Sequence, residues 1–261
     1  MSEREYEFLS FERRGAVLTV WLSRPPVNAV NQQMYRELAA FFADPNSFDG
    51  VRVVILAARG PHFCAGNDLA EFATMTPQNA AERMAEVRAA FFAIQDCPVP
   101  VIGAVHGAAL GTGLAIAASC DFVVASEDAR FGTPEVGVGI MGGARHLARL
   151  VSQPWVRYLY FTADPVPAAT IAGLGGVIEV VHRDDLLHAA GRIADRVARH
   201  SEVLLRTAKR SLNGIESMEL QSGYAFEQGL TVRVCGEPHS QEAVLAALER
   251  REPSFVSFSS P

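Results

Sequence analysis

The stretch from Val99 to Gly143 restricts this chain most, because short β-branched apolar runs alternate there with glycine-rich turns. Val99 to Val105 reads as a buried strand. A glycine turn from Gly107 to Gly113 follows, and the small-residue run Leu114 to Cys120 reads as a helix. A strand, a tight turn and a helix in succession leave backbone N–H groups unpaired at the positive end of the helix. Such a place holds an anion, or a carbonyl oxygen about to become one. A second apolar run, Asp121 to Ser126, leads to Phe131-Gly132-Thr133-Pro134-Glu135, which sets one carboxylate among glycines. An N–H cradle followed by a single carboxylate predicts chemistry beside a carbonyl. The same glycines also suit a tightly packed strand–helix crossing, and this stretch alone leaves the two readings level.

Composition narrows the setting. At 261 residues, 49% of them hydrophobic, the chain has room for a sizeable core. A net charge of −6 gives no general attraction to nucleic acid or to anionic membranes. Cys64, Cys97, Cys120 and Cys235 are scattered and read as buried free thiols of a reducing compartment. The histidines form no helical ligand pair, so no metal site is expected, and no motif in the chain calls for a cofactor. No apolar run is long enough to span a membrane. The acidic start MSEREYEF argues against a leader, and the ending SFSSP is no peroxisomal address. A cytoplasmic protein is expected.

In chain order, Phe8–Arg13 and Ala16–Leu22 alternate around Arg14-Gly15 as a hairpin. Asn31 caps a helix whose apolar face carries Met34, Leu38, Phe41 and Phe42. Val51 to Ala57 is the clearest central strand, and it empties into a loop from Arg59 to Leu69. Asp68 caps a helical turn there, which frees the Asn67 N–H as a second donor. Pro77 to Ile94 reads as an amphipathic helix. Strand–strand–helix thus recurs through residues 8–42, 51–94 and 99–120. Beyond Gly143 the pattern is helical, broken by one β run from Gly176 to Val181. The expected architecture is α/β with a helical tail.

Four blocks carry a resemblance: RPPVNAVN at 24–31, VRVVILAARGPHFCAGNDL at 51–69, the run PVPVIGAVHG…VGIMGG at 98–143, and ALERREPSF at 247–255. With these the chain resembles the crotonase (enoyl-CoA hydratase/isomerase) superfamily over essentially its whole length. The resemblance implies a crotonase-like spiral of ββα units over residues 1–200. It also implies a helical C-terminal region, 201–261, that assembles a homotrimer or a dimer of trimers. The implied substrate is an acyl-CoA thioester, whose oxygen two backbone N–H groups hold; by motif position these belong to Asn67 and Thr112. Both donors agree with the loops reached from local chemistry.

The family's hydratases place one glutamate after the glycine turn and a second in a Pro-Glu dipeptide. Glu135 is the second, whereas Ala115 stands at the first. Gly143 matches a glycine whose N–H positions water or substrate, but Arg145 and His146 replace the glycines usual beside it. The resemblance also places Arg24, Val27, Ala29, Ala65, Asp68, Leu69, Gly111 and Arg251 at the substrate or its CoA. One base favours 3-enoyl to 2-enoyl isomerisation. Hydration of a 2-enoyl-CoA and non-catalytic acyl-CoA binding are the alternatives.

The remaining polar residues have plainer readings. Asp68 and Asp121 are expected to cap a helix or strand end, and His106 to be a hydrogen-bonded core residue. His146 is expected to pack at the rim, with Glu71 only a minor candidate for the pocket wall. Arg59 and Arg250 are further candidates for the CoA phosphates. Phe131, Val136 and Val138 are expected to enclose Glu135 and raise its pKa.

Overall fold

The computed structural model describes residues 5–255, so the SFSSP ending and the first four residues of the chain start lie outside them. Strands β1 (Leu9–Arg14) and β2 (Val17–Leu22) form the expected antiparallel hairpin. Helix α1 (Gln32–Ala43) begins where the Asn31 side chain accepts the Met34 N–H, as its sequence predicts. Strand β3 (Val53–Ala58) is buried along its whole length and lies parallel to β2. The short α2 (Leu69–Phe72) and the longer α3 (Ala80–Gln95) follow it. The latter starts later than Pro77, after a turn in which Asn79 Oδ1 accepts the Thr76 N–H.

Strands β4 (Val101–Val105) and β5 (Ala108–Leu110) lead into α4 (Thr112–Ser119), every residue of which is buried. Strands β6 (Phe122–Ser126) and β7 (Arg130–Gly132) repeat the step and lead into a 3-10 turn, Pro134–Val138. After α5 (Ala144–Leu147) and α6 (Gln153–Thr162), β8 (Val166–Pro167), α7 (Ala168–Gly173) and β9 (Glu179–Val181) close the body.

A six-stranded sheet has the order β1-β2-β3-β4-β6-β9, parallel beyond the hairpin, and a three-stranded sheet has the order β5-β7-β8. The chain alternates between them, so each turn of a spiral contributes to both. The second turn joins the smaller sheet only through the bridge of Cys64 to Ala109, and Asn67 bridges to Val30 in the first turn. Segments near residues 30, 65, 109 and 131 therefore stack in order. The expected spiral of ββα units is present, with the second strand of its second unit reduced to a bridge.

Side chains alternate across the large sheet. Val54, Leu56, Val101 and Val105 join α1, α3 and α4 in one core; Val53, Ile55, Ile102 and Ala104 pack against α8 (Leu186–Ala198) in another. Helices α9 (Glu202–Ile215), α10 (Leu220–Val234) and α11 (Pro238–Glu249) form the helical tail. Lys209 of α9 is buried and reaches Asp121 Oδ2 at 2.5 Å. The same oxygen accepts the Val101 N–H, so Asp121 secures the start of β4, a strand-end role of the kind expected. Cys64, Cys97 and Cys120 are buried as expected, but Cys235, at the end of α10, is exposed.

Candidate active site

The glycine turn serves close packing and the site at once. A Cβ on Gly113 would stand 2.1 Å from the Cys64 carbonyl oxygen, and one on Gly107 2.3 Å from that of Pro61. Only glycine lets the second and third turns of the spiral approach so closely. Gly111, at φ +54, turns the chain into α4 and leaves space that Glu135 occupies. Thr112 is then the first residue of the helix, where an N–H has no intrahelical acceptor.

The Asn67 loop is built in the same way. Asp68 Oδ1 accepts the N–H groups of Ala70 and Glu71 and so caps α2. The neighbours of Asn67 are used by the first turn of the spiral, through Val30 N–H to Gly66 O and Asp68 N–H to Val30 O. Among the described residues no acceptor takes the N–H of Asn67, Thr112 or Gly143. The side chains of the first two meet at one unforeseen group, the Tyr35 hydroxyl, at 2.6 Å from Asn67 Oδ1 and 2.8 Å from Thr112 Oγ1.

Glu135 lies in the 3-10 turn and is 8% exposed. Its Oε2 is buried and has no hydrogen-bond partner among the described residues. Burial pushes its pKa above the usual glutamate value, against a smaller opposing effect from its own backbone N–H. The direction is as expected, but the enclosure differs in part. Phe131 is buried and Val136 and Val138 are exposed, but Val138 lines the same cleft as Glu135, and Gly111 and Gly143 flank the carboxylate as well.

Two cavities share this carboxylate and both donors. A cleft of about 570 Å³ is lined by Arg24, Val27, Ala29, Ala65, Asn67, Asp68, Leu69, Gly111, Thr112 and Glu135. A smaller space of about 90 Å³ adds Phe72, Met84, Val87, Phe91, Ala115 and Gly143. Ala115, 2% exposed, thus faces the site where the hydratases' first glutamate is expected. A third cavity, of about 620 Å³ beside Arg196 and Arg199, holds neither these donors nor a buried carboxylate, so the chemistry belongs to the first two.

Other expectations fare differently. Arg251 does not line the cleft; it pairs with Glu242 and Glu249, at 2.6 Å each. Arg59 lies over the Trp21 ring at 3.6 Å and pairs with Glu12. Arg250 is the left-handed residue that ends α11. Arg24 is at the cleft, its guanidinium engaged by Asp68 at 2.6 Å and the Ala29 carbonyl at 2.7 Å. The Glu71 N–H, and then Arg24, hold the Asp68 carboxyl below its usual range. Glu71 accepts the Gln32 N–H at 2.7 Å and lines neither the cleft nor the smaller space. His106 Nε2–H donates to Gly60 O, 3.0 Å away, as a core residue. His146 packs edge-on to Phe91 at 4.9 Å, and burial lowers its pKa to about 4, so it is neutral at pH 7.

The match to known proteins decides the family. The family model described as enoyl-CoA hydratase/isomerase matches residues 12–257. The chain belongs to the enoyl-CoA hydratase/isomerase family. Its crotonase fold is shared with an enoyl-CoA hydratase of Mycobacterium smegmatis, at a TM-score of 0.91 and 30% identity, over 95% of this chain and 98% of that one. A (7aS)-7a-methyl-1,5-dioxo-2,3,5,6,7,7a-hexahydro-1H-indene-carboxyl-CoA hydrolase of Mycobacterium tuberculosis is 41% identical, over 82% of this chain and 87% of the relative. A 2,3-dehydroadipyl-CoA hydratase of Escherichia coli is 33% identical, over 95% and 98% respectively. This is a crotonase-family acyl-CoA enzyme, and relatives within that family carry out more than one reaction.

Proposed function

We propose that this crotonase-family enzyme forms a thioester enolate with Glu135 as its single acid/base, and that its reaction is the shift of a 3-enoyl-CoA to a 2-enoyl-CoA. The observation that carries this reading is the pairing of a buried Glu135, whose Oε2 has no partner among the described residues, with an apolar Ala115 across the same space. In the larger cleft the other carboxylate, Asp68, is already engaged by Arg24.

The thioester oxygen accepts from the Asn67 and Thr112 N–H groups. The Glu135 carboxylate takes a proton from C2, and the released electron pair moves onto that oxygen to give a dienolate. The same group, now a carboxylic acid, returns its proton to C4. The C3–C4 double bond is lost, a C2–C3 double bond forms, and the carbonyl is restored. Two aimed donors contribute about 3–4 kcal/mol each to such an intermediate in a dry site. Leaving a carboxylate oxygen buried without a partner is costly, which disfavours acyl-CoA binding without chemistry. Hydration with Gly143 positioning the water needs the same residues but gains nothing from Ala115.

Hydrolysis is a second reading, favoured by the 41% identity to the dioxo-indene-carboxyl-CoA hydrolase against 33% to the hydratase. A cyclic oxo-acyl-CoA would place a second carbonyl near Glu135, which would then activate water. No helix among the described residues is long and apolar enough to cross a membrane. We place the enzyme in the cytoplasm as a homotrimer or dimer of trimers, with the division near residue 200 separating the spiral from its assembly region. Exposed apolar residues of the tail support assembly: Leu212, Val244 and Leu248, the last 78% exposed. A monomer mass in light scattering at micromolar protein would reject that assembly.

The function is tested with 2-enoyl-, 3-enoyl-, 3-hydroxyacyl- and cyclic dioxo-carboxyl-CoA substrates. Absorbance of the conjugated thioester follows the first three, and gain of one water by mass follows the last. Isomerisation predicts fastest turnover of 3-enoyl-CoA, abolished by Glu135→Gln. Turnover of the cyclic compound alone would replace it with the hydrolase reading.

A further inference from the structure

Helix α1 sends one polar group into apolar surroundings beside the active site. Tyr35 is 4% exposed, its ring lies edge-on to Phe91 at 6.0 Å, and its hydroxyl bridges Asn67 Oδ1 and Thr112 Oγ1. It lines neither the cleft nor the smaller space beside Glu135. The direction of the bridge follows from the inventory of protons. Asn67 Oδ1 only accepts, so the single Tyr35 proton goes to it. The contact with Thr112 is therefore made by the Thr112 proton, and the chain runs from Thr112 O–H to Tyr35 O–H to Asn67 Oδ1. Burial raises the phenol pKa, outweighing the Thr112 hydrogen bond, so the group stays protonated throughout.

Both ends of this chain belong to the residues whose N–H groups face the substrate. The backbone bonds joining their loops stop short of them: Cys64 N–H reaches Ala108 O at 2.9 Å and Leu110 N–H reaches Cys64 O at 3.0 Å. An asparagine oxygen left free hydrogen-bonds readily to nearby backbone N–H groups, and a threonine hydroxyl does so more weakly. Either oxygen, turned toward the cleft, would compete for the donors and repel a developing oxyanion.

We propose that Tyr35 is a positioning residue of the oxyanion hole, anchoring the side-chain oxygens of Asn67 and Thr112 behind it so that only their N–H groups meet the thioester. This rests on the reading above that those two N–H groups receive the thioester oxygen. Phenylalanine at position 35 would keep the ring packing and lose only the anchor.

The test uses crotonyl-CoA bound to the Glu135→Gln protein, which does not consume it. Polarisation of the thioester by the hole shifts the absorbance of the conjugated system to longer wavelength. Adding Tyr35→Phe should remove at least about half of that shift while the crotonyl-CoA Kd changes by less than about threefold. With Glu135 intact, Tyr35→Phe should lower kcat about tenfold or more with little change in KM. A shift that survives Tyr35→Phe, whether or not kcat falls, overturns the role of Tyr35 alone. No shift with Tyr35 in place overturns the oxyanion hole and this proposal together.

Discussion

Glu135 Oε1 stands 3.0 Å from the point that a Cβ on Gly143 would occupy. Gly143 also has φ +76, in the region that side chains resist. A methyl group there presses directly on the acid/base. Gly143→Ala should therefore lower kcat by about tenfold or more through misplacement of the carboxylate. Gly175 has φ +87 and nothing within 4 Å of its Cβ position. Gly175→Ala shares the strain without the contact, so it should lose stability and keep its rate. Steady-state kinetics and thermal unfolding of both variants check the contrast.

The Thr112 donor is open to a clean deletion. Proline is tolerated at the first position of a helix, where its missing N–H has no helical partner. Thr112→Pro should keep the far-ultraviolet circular dichroism of the fold while kcat falls by about 10²-fold or more. Full activity in that variant would place the thioester oxygen elsewhere.

How much of this was legible in the sequence depended on distance along the chain. Glu135, Thr112 and Asn67 each lie at a turn whose residues announce it; loop chemistry singles out Glu135 and Asn67, while for Thr112 it reaches the glycine turn and the family resemblance supplies the residue. Tyr35 was missed because its partners lie 32 and 77 residues away, and nothing in a helix of ordinary amphipathic pattern marks one tyrosine as a bridge. Arg251 is a different case: the resemblance alone places it at CoA, and within one chain Glu242 holds its guanidinium. The enclosure of Glu135 is legible only in part: Val136 is exposed on the 3-10 turn while Val138 lines the cleft, and glycines 24 residues before and eight after also flank the carboxylate.

The helical tail is fastened by charge as well as by packing. The Lys209 side chain is 4% exposed and that of Asp121 is 18% exposed, so solvent screens their pairing poorly. Lys209→Met leaves a carboxylate in place without its cation, a change that costs about 3 kcal/mol or more where a buried pair is broken. Urea unfolding should show that loss. Replacing both partners, Lys209→Met with Asp121→Asn, should recover a large share of it, since the amide oxygen still accepts the Val101 N–H.

The pH behaviour of Glu135 separates catalysis from packing. Its pKa is raised in the fold above the ordinary 4.5, chiefly by burial. Between the ordinary and the raised value the native state binds more protons than the unfolded one, so stability falls as pH rises through that window. Glu135→Gln removes this ionisation. It should therefore unfold at a higher temperature than the native chain at neutral pH, with the difference vanishing once pH drops below the ordinary glutamate value. Activity moves the other way, because the base works only when deprotonated. In the native enzyme kcat/KM should rise with pH along an acid limb whose midpoint lies above 4.5. In Glu135→Gln turnover should fall by about 10²-fold or more, the limb should disappear, and acyl-CoA should bind nearly as before. A carboxylate that merely packed would also give a more stable glutamine variant, but one with native turnover and an unchanged acid limb. Greater stability joined to lost turnover is the signature of a group buried at a cost because the reaction needs it there.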